Sequence, residues 1–390
     1  MSKLIRLFIC FDKQPILLIG ILLFLVGCDS RKKVDYDVPV SIIDYESLTS
    51  RNFEQIPEDI VSKMEFVAFD TVSDALFGRV DKVKFVDSSL FILDQRLNAI
   101  LEFDRSGKFI RKFQRKGRAL YEYLQITDFD IDRESGVLYV LDSHTDKVNL
   151  YDSDFNFIAS HTLDFEADIL KSVGGKIIFG LASWNSGRAK GYKIGQTDSQ
   201  CKMENQVLYY DEYIDPAYVF SSYRFTDCEQ NVVYNQPIDN NAYVLSRDLN
   251  LRQIIRFDFG ACNVPDENKK DVESKLDKFE NYCFIKDYVA VKGDLIIGKL
   301  RDHGKSRCFI VDRKNGIKYE SQPVELFSNS LFTEYDDPFI FSYFMTTNVN
   351  PKDVSLPDHI IDYIRSNSFN RIRPDVKHHI IVILISPIFK

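Results

Sequence analysis

Leu90-Phe91-Ile92-Leu93-Asp94 returns as Leu138-Tyr139-Val140-Leu141-Asp142, and the 48-residue shift between them decides how the chain is read. At the same shift Ile100-Leu101-Glu102-Phe103-Asp104 becomes Val148-Asn149-Leu150-Tyr151-Asp152, and Phe109-Ile110 becomes Phe157-Ile158. Three matches in one register make a repeat. A period in the forties, built of short β-rich runs, is the mark of propeller blades. Each unit reads as strand, short polar loop, strand, hairpin turn and outer strand. In the first unit Asp104 opens the turn Arg105-Ser106-Gly107-Lys108. Its carboxylate accepts from backbone N–H groups two residues on, and Gly supplies the positive φ. In the second unit the turn runs Asp152-Ser-Asp-Phe-Asn156, and Asn156 is expected in the glycine's left-handed place.

Fainter copies follow. At a shift of 94, Leu138-Tyr139-Val140 meets Val232-Val233-Tyr234, and Asp154-Phe-Asn-Phe157 meets Asp248-Leu-Asn-Leu251. Lys176-Ile-Ile-Phe179 with Gly191-Tyr-Lys-Ile194 supplies a unit between them, and Asp294-Leu-Ile-Ile297 with Cys308-Phe-Ile-Val-Asp312 a later one. Units over 80–113, 129–161, 169–194, 220–255 and 288–320, with a terminal piece, make six. An open ring would leave unpaired strand edges, and propellers avoid them by completing one blade from both chain ends. The apolar stretch 378–385 is therefore expected to share a sheet with 64–70. The sequence predicts an all-β chain: a six-bladed β-propeller of four-stranded antiparallel blades, closed by N- and C-terminal strands. Two short helical insertions are expected. Over 266–279, Val272, Leu276 and Phe279 share one helical face, and 358–366 follows Pro357 at a first helical position.

Ahead of the repeats, Lys3, Arg6 and Lys13 precede an apolar run over 15–26 that stops at Gly27-Cys28. The run has the length of a signal-peptide core and falls short of the ~20 residues of a spanning helix. Leu25-Val26-Gly27-Cys28 resembles a bacterial lipoprotein signal, whose cysteine receives the lipid. The division is then 1–27 signal peptide, 28–63 lipid anchor, tether and lead-in segment, and 64–390 propeller. An uncleaved N-terminal anchor is the competing reading. Either way the mature domain is expected in the cell envelope, outside the cytoplasm on the periplasmic or cell-surface side. Lipid on Cys28 makes the membrane a partner.

Composition narrows the function classes. The net charge is −8, and about −10 once residues 1–27 are set aside. Nucleic acid is not an expected partner, because phosphates demand clustered Lys and Arg. Thirty-one Phe and 20 Tyr suit pleated, half-buried strands. Beyond Cys28 stand Cys201, Cys228, Cys262, Cys283 and Cys308, with no C-x-x-C spacing. They read mostly as small buried hydrophobes, and nothing selects disulfide partners. The six histidines show no His-x-His or His-Glu-x-x-His spacing, so no metal site is expected. Nucleophile elbow, phosphate loop and dinucleotide fingerprint are absent, and no cofactor is expected. The chain is expected to be a monomer.

The chain resembles the six-bladed β-propeller lipoproteins abundant in Bacteroidetes, which are loosely similar to NHL-repeat propellers. The likeness spans most of 64–385 and is most specific at Phe103-Asp-Arg-Ser-Gly-Lys-Phe-Ile-Arg-Lys-Phe113, Gly117-Arg-Ala-Leu-Tyr-Glu-Tyr123 and Ile126-Thr-Asp-Phe129. The family usually carries Gly-x-Gly-Pro-Gly-Glu-Tyr in the second segment. This chain keeps Gly117, Glu122 and Tyr123 but not the middle Gly-Pro-Gly, so its loop takes another backbone path. The family has no single activity, and the resemblance implies fold and address rather than chemistry.

Candidate site residues come from local pattern. Arg118, Tyr121, Glu122 and Tyr123 form the densest polar and aromatic cluster, on a loop between blades where binding commonly resides. Against this, Glu122 and Tyr123 also suit a pin at the blade junction. Trp184, in Ser183-Trp-Asn-Ser-Gly187, reads as a ligand platform or as ordinary packing. Asp94 and Asp142 end equivalent strands. They either cap the following loops or face the channel as carboxylates able to hold Ca²⁺. Three functions remain. The first is a membrane-anchored module that binds a glycan, peptide or partner protein through one mouth of the ring. The second is a lactonase- or lyase-like enzyme using channel carboxylates and Ca²⁺. The third is a structural subunit of an envelope complex.

Overall fold

The computed structural model describes residues 36–44, 54–55, 64–70, 72–211, 224–287, 289–314, 318–320, 333–336, 339–345 and 380–385. The signal stretch, Cys28 and the helix expected at 358–366 lie outside them. Among the described residues hydrogen bonding joins the strands into six small sheets, and helices are few and short. The fold is a β-propeller.

The first sheet consists of Lys82–Val86, Ser89–Asp94, Ala99–Asp104 and Phe109–Phe113, each antiparallel to the one before. The second holds Asp128–Ile131, Leu138–Asp142, Lys147–Tyr151 and Phe157–Thr162. The third holds Ala167–Val173, Lys176–Leu181, Tyr192–Thr197 and Met203–Tyr209. The fourth holds Arg224–Cys228, Asn231–Asn235, Asn241–Ser246 and Leu251–Asp258. In the fifth, Cys283–Ile285 and Ala290–Lys292 both pair with Leu295–Asp302, followed by Lys305–Asp312 and Lys318–Glu320. The last sheet is composite: Thr333–Asp336, Phe339–Met345, Ile380–Ile385 and Met64–Ala68. Ile381 stands opposite Ala68 and Ile385 opposite Met64, the pairing expected from the two chain ends. Inner strands touch in order: Lys82–Val86, Asp128–Ile131, Ala167–Val173, Arg224–Cys228, Ala290–Lys292, Thr333–Asp336, and back to Lys82–Val86.

The expectation of six uniform four-stranded blades needs correction. Five blades form from consecutive strands, and the composite sheet is of a different make. Two blades also carry a parallel strand from the segment read as tether and lead-in. Val40–Asp44 lies along Leu251–Asp258, and Glu54–Gln55 along Lys318–Glu320. Each satisfies backbone groups that an outer edge would otherwise leave open.

Side-chain alternation explains the apolar runs. Leu90 and Ile92 pack with Val83, Phe85, Leu101 and Phe103 on one side of the first sheet. Phe91 and Leu93 pack on the other, with Ile100, Phe113, Phe129 and Val140. Successive residues of a strand point to opposite faces. Each face is covered by the next sheet, so both parities are apolar.

The hairpin turn recurs more widely than its sequence does. Asp104 Oδ1 accepts from Ser106 N at 2.8 Å and Lys108 N at 3.0 Å, with Gly107 at φ 85°. Asp152 and Asp198 accept from the equivalent amides, with Phe155 at 65° and Cys201 at 62°. Ser246 and Leu249, at 59°, form the fourth copy. Each follows a register shift in the preceding strand, the geometry of a turn closed by a bulge. The left-handed residue of the second turn is therefore Phe155, not Asn156, which instead donates its side-chain amide to Asp152 at 3.0 Å.

The expected helix over 266–279 is also broken, into Asp266–Lys269, Val272–Lys275 and a 3-10 stretch Leu276–Asn281. Asp271 accepts from Ser274 N and Oγ, which starts a new helix and ends the old one. Val272 and Phe279 still bury.

Candidate functional site

In a four-stranded meander, the loop after the second strand and the connection to the next sheet leave from the same end. Loops 95–98, 114–127, 143–146 and 182–191 therefore share one end, and they carry every expected ligand residue. The loop over 117–123 divides into a structural half and an exposed half. Tyr123 is buried; its hydroxyl accepts from Arg115 N at 2.9 Å and donates to Asn98 O at 3.1 Å. Burial pushes its phenol well up from the ordinary tyrosine range. Glu122 folds back so that its carboxylate accepts from Ala119 N at 2.8 Å, and a Cβ on Gly117 would run into it. The second sheet clamps the loop: Asn149 donates to Glu122 O and Tyr151 to Tyr121 O, both at 2.9 Å. These residues pin the blade junction. Arg118, Leu120 and Tyr121 face solvent, with the Tyr121 ring 6.4 Å from that of Phe157.

Trp184 is 42% exposed, and its indole N–H donates to the Glu166 carboxylate. Beneath it the buried Asn185 accepts from Glu166 N and donates to Glu166 O and Ala182 O. The neighbouring strands of the third sheet add a stacked pair at this end. The Tyr192 and Tyr209 rings lie 4.4 Å apart with hydroxyls at 2.7 Å.

Asp94 and Asp142 act as clasps. Asp94 accepts from Gly78 N and Leu97 N at 2.8 Å and from Arg79 N at 3.1 Å. Asp142 accepts from Leu124 N at 2.7 Å and His144 N at 3.1 Å. Each ties the preceding connection to its own loop.

The channel carries different charges, none singled out by sequence reasoning. Alternate residues of the inner strands pair across sheet junctions. Lys82 Nζ lies 3.0 Å from Asp128 Oδ1 and 2.6 Å from Phe129 O, and Lys84 Nζ lies 2.7 Å from Asp130 Oδ1. The third sheet donates Leu170 N to Asp128 and Ser172 N to Asp130, and Lys171 reaches Asp227 at 2.8 Å. Arg224, on the fourth sheet, stands 3.9 Å from Asp128 on the second, an ion pair that reaches past the third sheet. Burial works to raise the Asp130 carboxyl, but Lys84, Lys171 and Lys82 outweigh it and hold it far below the usual range. Burial raises Asp81 and Asp287 against partial relief from their neighbours, Arg224 among them. Away from the inner strands another buried cation, Lys193, contacts Asp239 at 2.7 Å and the Tyr243 ring at 5.5 Å, locking the third sheet to the fourth. The signal was present as charged residues alternating with apolar ones in Lys82-Val-Lys-Phe and Asp128-Phe-Asp-Ile.

The profile of the family described as Domain of unknown function (DUF4934) matches residues 40–380. No curated protein sequence matches the chain. Among solved structures, a Bacteroides fragilis protein named as exported is similar at 15% identity, TM-score 0.68, covering 89% of this chain and 99% of that one. A DUF4221 family member from Bacteroides vulgatus is similar at 9% identity, TM-score 0.50, covering 83% and 98%. These likenesses concern the fold alone. A virginiamycin B lyase of Staphylococcus aureus, at 12% identity, TM-score 0.41, covering 72% and 95%, is too distant to carry an argument.

Proposed function

We propose that this chain, which belongs to the DUF4934 family, is an extracytoplasmic binding module that takes a glycan on the loop end of its sheets. One observation carries the reading: Trp184 keeps its ring open to solvent while Glu166 and the Asn185 bonds hold its loop in place. A pre-set aromatic face costs little ordering entropy on binding and stacks on the apolar face of a sugar. Tyr121 and the Tyr192–Tyr209 pair extend aromatic surface at the same end. The channel argues the other way for catalysis. Its Asp128 and Asp130 carboxylates are taken by lysines and amides, and Asp94 and Asp142 by backbone N–H groups.

The same reading takes the composite sheet as a sixth blade, in support of which the inner strands touch in one closed cycle. It keeps lipid on Cys28 as the anchor, in line with the export named for the Bacteroides fragilis neighbour. Val40 lies twelve positions after Cys28. A fully extended tether of that length spans about 40 Å, which limits how far the fourth sheet's outer edge stands from the membrane.

The test is a thermal-shift and glycan-array comparison of the mature chain with Trp184→Ala. A glycan at a hundredfold excess over its Kd should stabilise the parent by ~2.7 kcal/mol, and the variant should lose that gain while unfolding at the parent's own temperature. Binding that is indifferent to Trp184, or a response to Ca²⁺ or peptides with none to glycans, would overturn the reading.

A further inference from the structure

Three side chains well separated in sequence meet at the loop end of the fifth sheet. Cys262 closes the 3-10 turn Gly260–Cys262 of the helical insertion. Cys283 begins the strand Cys283–Ile285, and His303 sits in the hairpin between Leu295–Asp302 and Lys305–Asp312. One ligand atom from each lies within 4.8 Å of the other two. Cys262 Sγ is 3.9 Å from His303 Nε2, and Cys283 Sγ is 3.6 Å from His303 Nδ1. Around a tetrahedral zinc ion, with Zn–S ~2.3 Å and Zn–N ~2.0 Å, sulfur and nitrogen ligands stand roughly 3.5–3.8 Å apart. The two sulfurs approach different ring nitrogens, so Cys283, which also donates to Asp302 Oδ1 at 3.3 Å, must turn toward Nε2 for one ion to take both.

The surroundings suit a metal as well. Asp302 Oδ1 lies 2.6 Å from His303 Nδ1, and its other oxygen lies 3.0 Å from Arg307 Nε. A carboxylate on one ring nitrogen fixes the tautomer and leaves the other, here Nε2, to ligate. Cys283 is fully buried, Cys262 half-buried and His303 exposed, so an ion would be sheltered on the sulfur side and reachable on the imidazole side.

We propose that Cys262, Cys283 and His303 bind a thiophilic divalent ion, Zn²⁺ above all, with water as fourth ligand. Two thiolates and an imidazole select zinc over the hard cations Ca²⁺ and Mg²⁺. Two thiol protons leave to solvent as the Zn–S bonds form, so binding weakens as pH falls. The ion staples the helical insertion, through Cys262, to the sheet that supplies Cys283 and His303.

The test uses the mature chain, reduced with a phosphine, and Co²⁺ as a spectroscopic probe. One equivalent should bind, with thiolate-to-cobalt charge transfer and tetrahedral d–d bands, and Zn²⁺ should displace it. Cys262→Ser, at the half-buried position, should cut the charge-transfer band by half or more without unfolding the chain. Asp302→Asn should weaken binding about 10–100-fold. The proposal fails if the reduced chain takes up no stoichiometric Co²⁺, or if the band is undiminished in Cys262→Ser. It also fails if protein isolated under alkylating conditions carries a Cys262–Cys283 disulfide.

Discussion

At the scale of single residues, the 117–123 loop shows how a family-like motif serves the fold. Tyr123 commits its hydroxyl to two backbone groups, Arg115 N and the buried Asn98 O, at the blade junction. Tyr123→Phe should therefore destabilise the chain by about 1–3 kcal/mol in urea unfolding, the cost of orphaned buried groups. Arg118→Ala, at an exposed position, should change it by less than about 0.5 kcal/mol. Gly117→Ala should displace the Glu122 carboxylate and cost ~1 kcal/mol. In a double-mutant cycle with Glu122→Ala that cost should largely vanish, because the clash and the lost bond share one side chain. Additive costs would show that Gly117 matters for some other reason. The family-like pattern kept Gly117, Glu122 and Tyr123, and sequence alone read Glu122 and Tyr123 either as part of a binding cluster with Arg118 and Tyr121 or as a junction pin. Whether they faced a ligand or a junction depended on Asn98, Asn149 and Tyr151, which lie in other strands.

At the scale of strands, the inner ring is held by pairs that no single strand contains. Burial alone would raise Asp130, yet the ammoniums around it win, so its folded pKa lies below its unfolded value. Such a carboxyl stabilises the fold above the unfolded pKa, ~3.9, and that contribution is lost as pH falls through the folded value. Urea midpoints should accordingly be flat near pH 6 and drop below about pH 4. Lys84→Met or Asp130→Leu alone should cost about 3–5 kcal/mol by stranding a buried charge, whereas the double variant should recover most of it. The double variant should also show a shallower acid slope. Equal slopes in parent and double variant would remove Asp130 from the account of acid unfolding. The alternation of Lys82-Val-Lys-Phe was legible as a strand with one polar face. That this face meets Asp128 and Asp130, and not water, was not.

At the scale of the whole molecule, closure depends on Ile380–Ile385, paired on one side with Phe339–Met345 and on the other with Met64–Ala68. Val382→Pro removes a ladder N–H from a strand flanked on both sides, where proline has no tolerated place. The expected outcome is loss of the cooperative transition and a rise in aggregates by size-exclusion chromatography, since open edges invite pairing between chains. A variant as cooperative and monodisperse as the parent would show that the ring does not need this seam.

Local chemistry determined what the sequence made plain: the repeat, the strands apolar on both faces, the Asp-opened turns and the joining of the two chain ends. The first three follow from period-two alternation and turn residues, which act within one strand or one hairpin, and the last from the need to hide strand edges. Tertiary structure decided the rest. Phe155, Cys201 and Leu249 accept left-handed backbone because each is buried there, a compensation no turn motif encodes. Val40–Asp44 and Glu54–Gln55 became strands only because finished sheets offered them an edge. Cys262, Cys283 and His303 stand about twenty residues apart in turn, a spacing no metal motif uses. They meet because an insertion folds back over one sheet. Alternation fixes the side to which a residue points, but only the packed assembly fixes what it finds there.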